Sequence, residues 1–540
     1  MQKRCLIVFC AFMLMFCASF FCLNHLCTKE QLSTAAANQQ CYKLKISDVR
    51  GTIYDCRNIP LVNYTTKLVA AAVPCAETLT ALTPAIYPHQ AEELYKKCSL
   101  KTPFTIEVFK KIECPYVQIF EVPIRYSGIT LAPHIVGYLS GDKSGTSGIE
   151  KSYDEYLSHN KQEITMRYNV DATGKLLPGT KQTAVDRTYL KSSGVQLTLD
   201  GRIQAIAEET ANKHMERGAV IISEVPNCEI RACCSLPSFT PNSVDKYLKD
   251  EHSPLLNRAF CSFNLGSVFK LITAAAAMEC GIKPETTYNC EGANHVDDAA
   301  FKCYHSKAHG TVDMAQAMAH SCNGYFVELI KNMPNDALLK MAKKFHLGDK
   351  IILAPYLESS SGKLPTEKDL ENIKNLANFS FGQGKLLATP LQIAGIINTI
   401  ASGGVYSQPK LVQNILGENM KPIKQIENHS EIKSEKVISE TTAEKLKIQM
   451  KASVDYGTGQ KAKPESEEAA GKTSTAQTGI IENSKKIEQS WFAGFFPFEK
   501  PKYCVVVLSE AGSGGGESCA PVFKEIADRL KSELPALFMD

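Results

Sequence analysis

Charge of one sign is what this sequence has least of. Its 60 Lys and Arg residues against 57 Asp and Glu leave a formal charge of +3 over 540 residues, which offers no support for a nucleic-acid partner. A disorder-type composition is lacking too, since 44% hydrophobic and 22% charged residues are ordinary globular values. No internal repeat is visible, which sets repeat architectures aside. The 20 cysteines lack metal-type spacing. Cys5, Cys10, Cys17, Cys22 and Cys27 lie in or beside one apolar run, where they act as small apolar residues. Cys233 and Cys234 are adjacent and cannot easily bridge each other. Only Cys290 and Cys303, flanking a polar loop, invite a disulfide or redox reading, with buried thiols as the alternative. His305 and His309 lie near that loop, but without a third ligand at metal-type spacing they read as structural.

What is present begins at the N-terminus. After MQKR comes CLIVFCAFMLMFCASFFCL, Cys5 to Leu23, 19 residues with no charge and only Ser19 polar. At about 1.5 Å per helical residue this spans nearly the ~30 Å of a hydrocarbon core. Lys3 and Arg4 favour the cytoplasmic side. The expectation is a single-pass anchor in the cell membrane with the rest of the chain extracytoplasmic. A cleaved secretory signal is the alternative, but the run is long for one and no small-x-small site follows it.

From Cys41 to about Gly194 the chain is mixed, with strand-like runs TPFTIEVF and YVQIFEVPI. It closes on a polar stretch, NVDATGKLLPGTKQTAVDRTYLKSSG, that reads as a connection between domains. VQLTLDGRIQAIAEETANKHMERG then predicts a short strand and an amphipathic helix starting at Asp200. GAVIISEVPNCEIRACCSL predicts a hairpin turning at Pro226–Asn227, and APVFKEIADRLKSEL a last helix. The expected organisation is a cytoplasmic tail and anchor over 1–27, a mixed α/β domain over 28–194 and an α+β domain over 195–540.

Three short motifs carry chemistry. LGSVFKLITAAAAMECG places Ser267 and Lys270 at the start of a helical run that Gly281 stops. Residues i and i+3 share a helix face, so the Lys270 amine is expected to reach the Ser267 hydroxyl. A serine needs a partner to remove its proton before attacking a carbonyl, and a desolvated lysine can be that base. AHSCNGYF supplies Ser321 and Asn323 just after a helical stretch. AGKTSTAQTG supplies Lys472, Thr473, Ser474 and Thr475 some 150 residues later. Each motif alone is weak; the three in this order form a specific constellation.

With these motifs in place, the sequence resembles the class B penicillin-binding proteins, monofunctional D,D-transpeptidases that form an acyl-serine. The resemblance covers most of the chain. It includes VRGTIYDCRNIPLV, GTSGIEKSYDEYL, NFSFGQGKLLATPLQIA, YGTGQKA, WFAGFFP and APVFKEIA. No glycosyltransferase-length region lies between the anchor and the pedestal-like segment, and no repeat modules follow the last helix. The resemblance implies a central antiparallel sheet flanked by helices, the fold shared with serine β-lactamases, on an N-terminal pedestal. It implies Ser267 as nucleophile, Lys270 as its base, Ser321 as proton relay and Asn323 on the substrate's peptide amide. Lys472 would set the local positive potential, Thr473 and Thr475 would bind the terminal carboxylate, and Ser267 and Thr475 N–H groups would form the oxyanion hole. No metal or organic cofactor is implied. The implied ligands are stem peptides ending in D-Ala-D-Ala and β-lactams, with a SEDS-family membrane glycosyltransferase as partner.

Three positions depart from the family pattern. Leu265 stands where proline is frequent, and Cys322 inside the second motif reads as a packed thiol. Ser474 stands where glycine is usual, and strand alternation puts it on the Lys472 face, opposite Thr473 and Thr475. Rival readings within the fold are a D,D-carboxypeptidase or a β-lactamase; no dedicated deacylating base is apparent for the latter. A β-lactam sensor would need a signalling region, whereas MQKR alone precedes the apolar run. A silent wall-assembly scaffold would show a broken nucleophile or lysine, and both are intact.

Overall fold

The computed structural model describes residues 2–28, 41–100, 102–128, 130–159, 162–171, 176–177, 183–185, 193–425, 434–482 and 485–539. Most of the polar stretch over 169–194 therefore lies outside the described residues. Helix α1 (Gln2–Thr28) contains the apolar run; its segment Lys3–Cys27 is long and apolar enough to cross a membrane, and none of it is buried.

The chain forms two compact units, and both are discontinuous in sequence. The first comprises residues 1–50, 63–125 and 160–192. It holds one antiparallel sheet of Cys41–Val49, Gln162–Asn169 and Thr183–Val185, and another of Phe104–Val108, Thr65–Ala72 and Val117–Ile124. The second comprises residues 51–62, 126–159 and 193–540. A single boundary at 194 does not describe this arrangement. The reason lies in pairing across long sequence separations. Thr52–Tyr54 runs parallel to Gly194–Gln196, with Ile53 opposite Val195 and both fully buried. The buried Asp55 carboxylate accepts from Gly201 N–H (3.3 Å) at the start of helix α2 (Gly201–His214). Ile149 and Leu157 are fully buried in the same core.

Helix α2 starts where the sequence predicts, with the Asp200 side chain accepting from Arg202 N–H. The hairpin follows as β1 (Gly218–Glu224) and β2 (Glu229–Leu236), joined through Pro226 and Asn227. Further along come α3 (Lys270–Glu279), α4 (Asn323–Ile330) and α5 (Pro390–Ala401). The chain then returns as β3 (Ala470–Glu482), β4 (Lys485–Phe496) and β5 (Tyr503–Ser509), and ends in α6 (Ala520–Glu533). The five strands form one antiparallel sheet in the order β2-β1-β5-β4-β3.

Helices cover both faces of this sheet. Tyr503, Val505 and Val507 pack with α2 and α6 through Ile206, Val522, Phe523 and Ile526. Cys504, Val506 and Leu508 point the other way and join the core that contains α3 and α5. Because both faces are covered, YCVVVLS is buried at every position and reads as an unbroken apolar run.

Leu508 is fully buried and pairs in register with Trp491, the only tryptophan. Leu508→Ala should cost about 2–5 kcal/mol. A lower urea midpoint, followed by Trp491 emission, is the expected outcome, and an unchanged midpoint would contradict this packing.

Candidate active site

Ser267 lies in a short 3₁₀ turn, Gly266–Phe269, that runs directly into α3. The residues before it are tied down one by one. Asn264 N–H donates to Gln489 Oε1 (2.7 Å), and Asn264 O accepts from Trp491 Nε1 (2.9 Å). Leu265 O accepts from Ser474 Oγ (2.6 Å), and Gly266 N–H donates to Gly382 O (3.0 Å). Gly266 has φ +62, where a side chain is strained, and a Cβ there would lie 2.4 Å from Ser474 Oγ. Gly382 has φ +82, and a Cβ on it would meet Gly266 O at 2.0 Å. The turn bearing Ser267 is thus held between the edge of the sheet and the Gly382 loop, with Ser267 itself half-buried.

Lys270 is fully buried. Its Nζ donates to Ser321 O (2.7 Å), Ser321 Oγ (3.1 Å) and Asn323 Oδ1 (2.7 Å), and sits 5.5 Å from the Phe326 ring centre. Ser321 has φ +55, a left-handed conformation that lets one residue present both its carbonyl and its hydroxyl. Asn323 Nδ2 donates to Lys302 O (2.8 Å), which fixes the amide so that Oδ1 faces the amine. The i, i+3 expectation is not met by a hydrogen bond. Among the described residues every hydrogen-bond partner of Lys270 Nζ lies in the S-C-N turn, and Ser267 Oγ is not one of them. An ammonium withdrawn from water needs acceptors for its three N–H groups, and that turn supplies them.

Burial holds the Lys270 amine down at about 7, so near neutrality a large share is unprotonated and able to accept a proton. Two of its partners, Ser321 O and Asn323 Oδ1, only accept; the Ser321 hydroxyl can also donate to the neutral amine.

On β3, Lys472 and Ser474 pair with Ala493 and Trp491, and Thr473 and Thr475 with Phe492 and Ser490. Trp491 and Ala493 belong to the core around α3, and Phe492 to the opposite one. Lys472 and Ser474 therefore share the Ser267 side, as alternation requires, and the Ser474 hydroxyl fills the space against Gly266. Lys472 is fully buried, and its Nζ donates to Thr473 O (2.9 Å). Burial first, and the nearby Lys270 second, drive its pKa well below the ordinary lysine value. Thr473 Oγ1 shares a 2.5 Å hydrogen bond with Thr458 Oγ1, and Thr475 Oγ1 accepts from Gly515 N–H (3.3 Å).

The structure joins Lys270, Ser321 and Asn323 by direct bonds and couples Ser474 to the Ser267 turn. Sequence reasoning missed Lys302, Gly382, Gln489 and Thr458. Each is a backbone or side-chain partner distant in the chain, and only the long stretches NFSFGQGK and YGTGQKA hinted at two of them.

Similarity to known proteins agrees with this geometry. The family model described as the penicillin binding protein transpeptidase domain matches residues 218–528. Stage V sporulation protein D of Bacillus subtilis is 27% identical, over 94% of this chain and 81% of its own length. The peptidoglycan D,D-transpeptidase FtsI of Escherichia coli K12 is 26% identical, over 78% of this chain and 70% of its own. Among solved structures, penicillin-binding protein 3 from Mycobacterium tuberculosis, complexed with aztreonam, has a TM-score of 0.65 at 21% identity, covering 91% and 97% of the two chains. A chain of a peptidoglycan synthase complex described as coordinating polymerization and crosslinking has a TM-score of 0.70 at 22% identity, covering 96% and 97%.

If the neutral Lys270 amine is the base, acylation of Ser267 should rise through about pH 7 and level off above it, because deprotonation creates the reactive form. Intact-mass spectrometry after timed exposure to an activated acyl donor measures the profile. A rate independent of pH from 5 to 9 would remove Lys270 from that role.

Proposed function

The chain belongs to the penicillin-binding protein transpeptidase family, and from that premise we propose that it is a class B peptidoglycan D,D-transpeptidase, cross-linking stem peptides through an acyl-serine. The observation that carries this reading is the buried Lys270 amine, shared by Ser321 and Asn323 and three residues from Ser267 on a clamped turn.

In the proposed reaction the Ser267 hydroxyl gives its proton to the Lys270 amine, and Oγ bonds to the carbonyl carbon of the penultimate D-Ala. Backbone N–H groups of Ser267 and Thr475 stabilise the resulting oxyanion. The C–N bond to the terminal D-Ala breaks, and its amine leaves with a proton passed from Lys270 through Ser321. An acceptor amine then attacks the ester and returns the proton to Ser267. Asn323 orients the donor peptide, and Lys472 supplies positive potential for the terminal carboxylate. Thr475 spends an acceptor position on Gly515 N–H, which leaves its O–H free to donate to that carboxylate. Thr473 and Thr458 share one hydrogen bond, so one hydroxyl of the pair keeps its proton for the substrate.

Helix α1 serves as a single-pass membrane anchor, with the first unit as pedestal and the second unit extracytoplasmic. A class B enzyme lacks its own polymerase, so the partner we propose is a SEDS-family membrane glycosyltransferase. In its favour, similar folds occur in a peptidoglycan synthase complex and in a complex of penicillin-binding protein 2 with MreC from Helicobacter pylori.

Incubation with a pentapeptide donor, with and without an acceptor amine, tests the reaction. Cross-linked product is expected with the amine, and Ser267→Ala should lower turnover by on the order of 10⁶-fold. Hydrolysis alone would make the protein a carboxypeptidase, and no acyl-enzyme at all would make it a scaffold. Ser474→Gly removes one hydrogen bond, worth about 1 kcal/mol, from the Ser267 turn. Activity should survive while acylation by a labelled penicillin changes by about fivefold, and equal rates would sink the claim.

A further inference from the structure

Behind the S-C-N turn, three thiols and an imidazole converge. Cys290, Cys303 and Cys322 are buried, His309 is half-buried, and their ligand atoms all lie within 4.8 Å of one another. Cys290 Sγ is 3.7 Å from Cys303 Sγ and 3.5 Å from His309 Nδ1, and Cys303 Sγ is 3.8 Å from Cys322 Sγ. A tetrahedral ion at about 2.3 Å from sulfur and about 2.0–2.1 Å from nitrogen sets sulfur–sulfur separations near ~3.8 Å and sulfur–nitrogen separations near ~3.6 Å. Three of the six edges have those lengths, and the other three are within 4.8 Å. The Cys322 thiol is packed in the interior, as expected from the sequence, with Cys303 beside it.

We propose that Cys290, Cys303, His309 and Cys322 bind one divalent ion of the zinc class in a closed structural site. Three thiolates and one imidazole suit a borderline-soft, tetrahedral ion and fill its coordination, so no position remains for substrate. Gly292 N–H donates to Cys290 Sγ (3.4 Å), support of the kind that orients a metal-bound thiolate. The thiols lose their protons to solvent on binding, and no oxidant is involved. Twelve, five and twelve residues separate the four ligands along the chain, which is why no motif announced them.

The place of the site gives it a positioning role. Cys322 stands between Ser321 and Asn323, and Cys303 follows Lys302, whose carbonyl holds Asn323 Nδ2. The ion would fasten the Cys290–Cys303 segment to the turn that carries every hydrogen-bond partner of Lys270 Nζ found among the described residues.

The readout is bound metal, so its outcome is independent of the transpeptidase reading. Full-length protein purified in detergent under reducing conditions and desalted should carry about one zinc per chain by elemental mass spectrometry. Co²⁺ substitution should give the visible bands and sulfur-to-metal charge transfer of a tetrahedral cobalt thiolate. Cys290→Ser and His309→Ala should each weaken Zn²⁺ binding, read by competition with a chelating dye, beyond the roughly 10–100-fold that follows loss of a group merely supporting a ligand. Cys280→Ser, an exposed thiol outside the cluster, should leave the metal content unchanged. Wild-type protein that carries no zinc and takes up neither Zn²⁺ nor Co²⁺ would overturn the proposal. So would a Cys290–Cys303 disulfide found by non-reducing peptide mapping.

Discussion

The cost of taking an ammonium group out of water organises this site. Lys270 is completely enclosed, and such a group persists only if its N–H donors are met or its proton is surrendered. The protein does both. Three oxygens from one turn surround the amine, the Phe326 ring lies close by, and burial lowers the affinity for the proton toward neutrality. Lys270 in turn adds to the fall in the pKa of Lys472, buried on the same side of the sheet, because two neighbouring cations disfavour each other. A base poised near pH 7 is thereby a product of packing, with no neighbouring carboxylate among the causes of the shift.

The frame for that packing is a sheet with helices on both faces. Strand β5 is buried throughout, so its neighbours cannot shift without opening a core. On this frame β3 and β4 reach out to Asn264 and Leu265 through Ser474, Gln489 and Trp491, while Gly382 holds Gly266. Ser474, the departure from the family's glycine, adds one strut to this clamp.

What could be read in the sequence was local. The α2 cap at Asp200, the β1–β2 hairpin and α6 all follow from periodicity and turn chemistry, and the structure has them at those positions. Ser267, Lys270, Ser321, Asn323 and the β3 residues stood out through the order of their motifs and the resemblance that order supports. What stayed hidden depends on contacts far apart in the chain. Lys302 and Gln489 act through contacts that no local pattern signals, and the Cys290, Cys303, His309 and Cys322 cluster has no recognisable spacing. Helical geometry predicts an amine directed at the Ser267 hydroxyl, whereas desolvation, which no spacing rule contains, directs it to the S-C-N turn.

The interleaving of the two units has a practical side. The chain passes between them at 50/51, 62/63, 125/126, 159/160 and 192/193, so no single cut separates them. A fragment starting at 195 would lack the Thr52–Tyr54 strand and the Asp55 carboxylate, baring Val195, Leu197 and Leu199 and unpairing the start of α2. Modularity here belongs to the three-dimensional object and has no counterpart along the gene: recombination, limited proteolysis and subcloning all act on a linear string that never contains either unit whole.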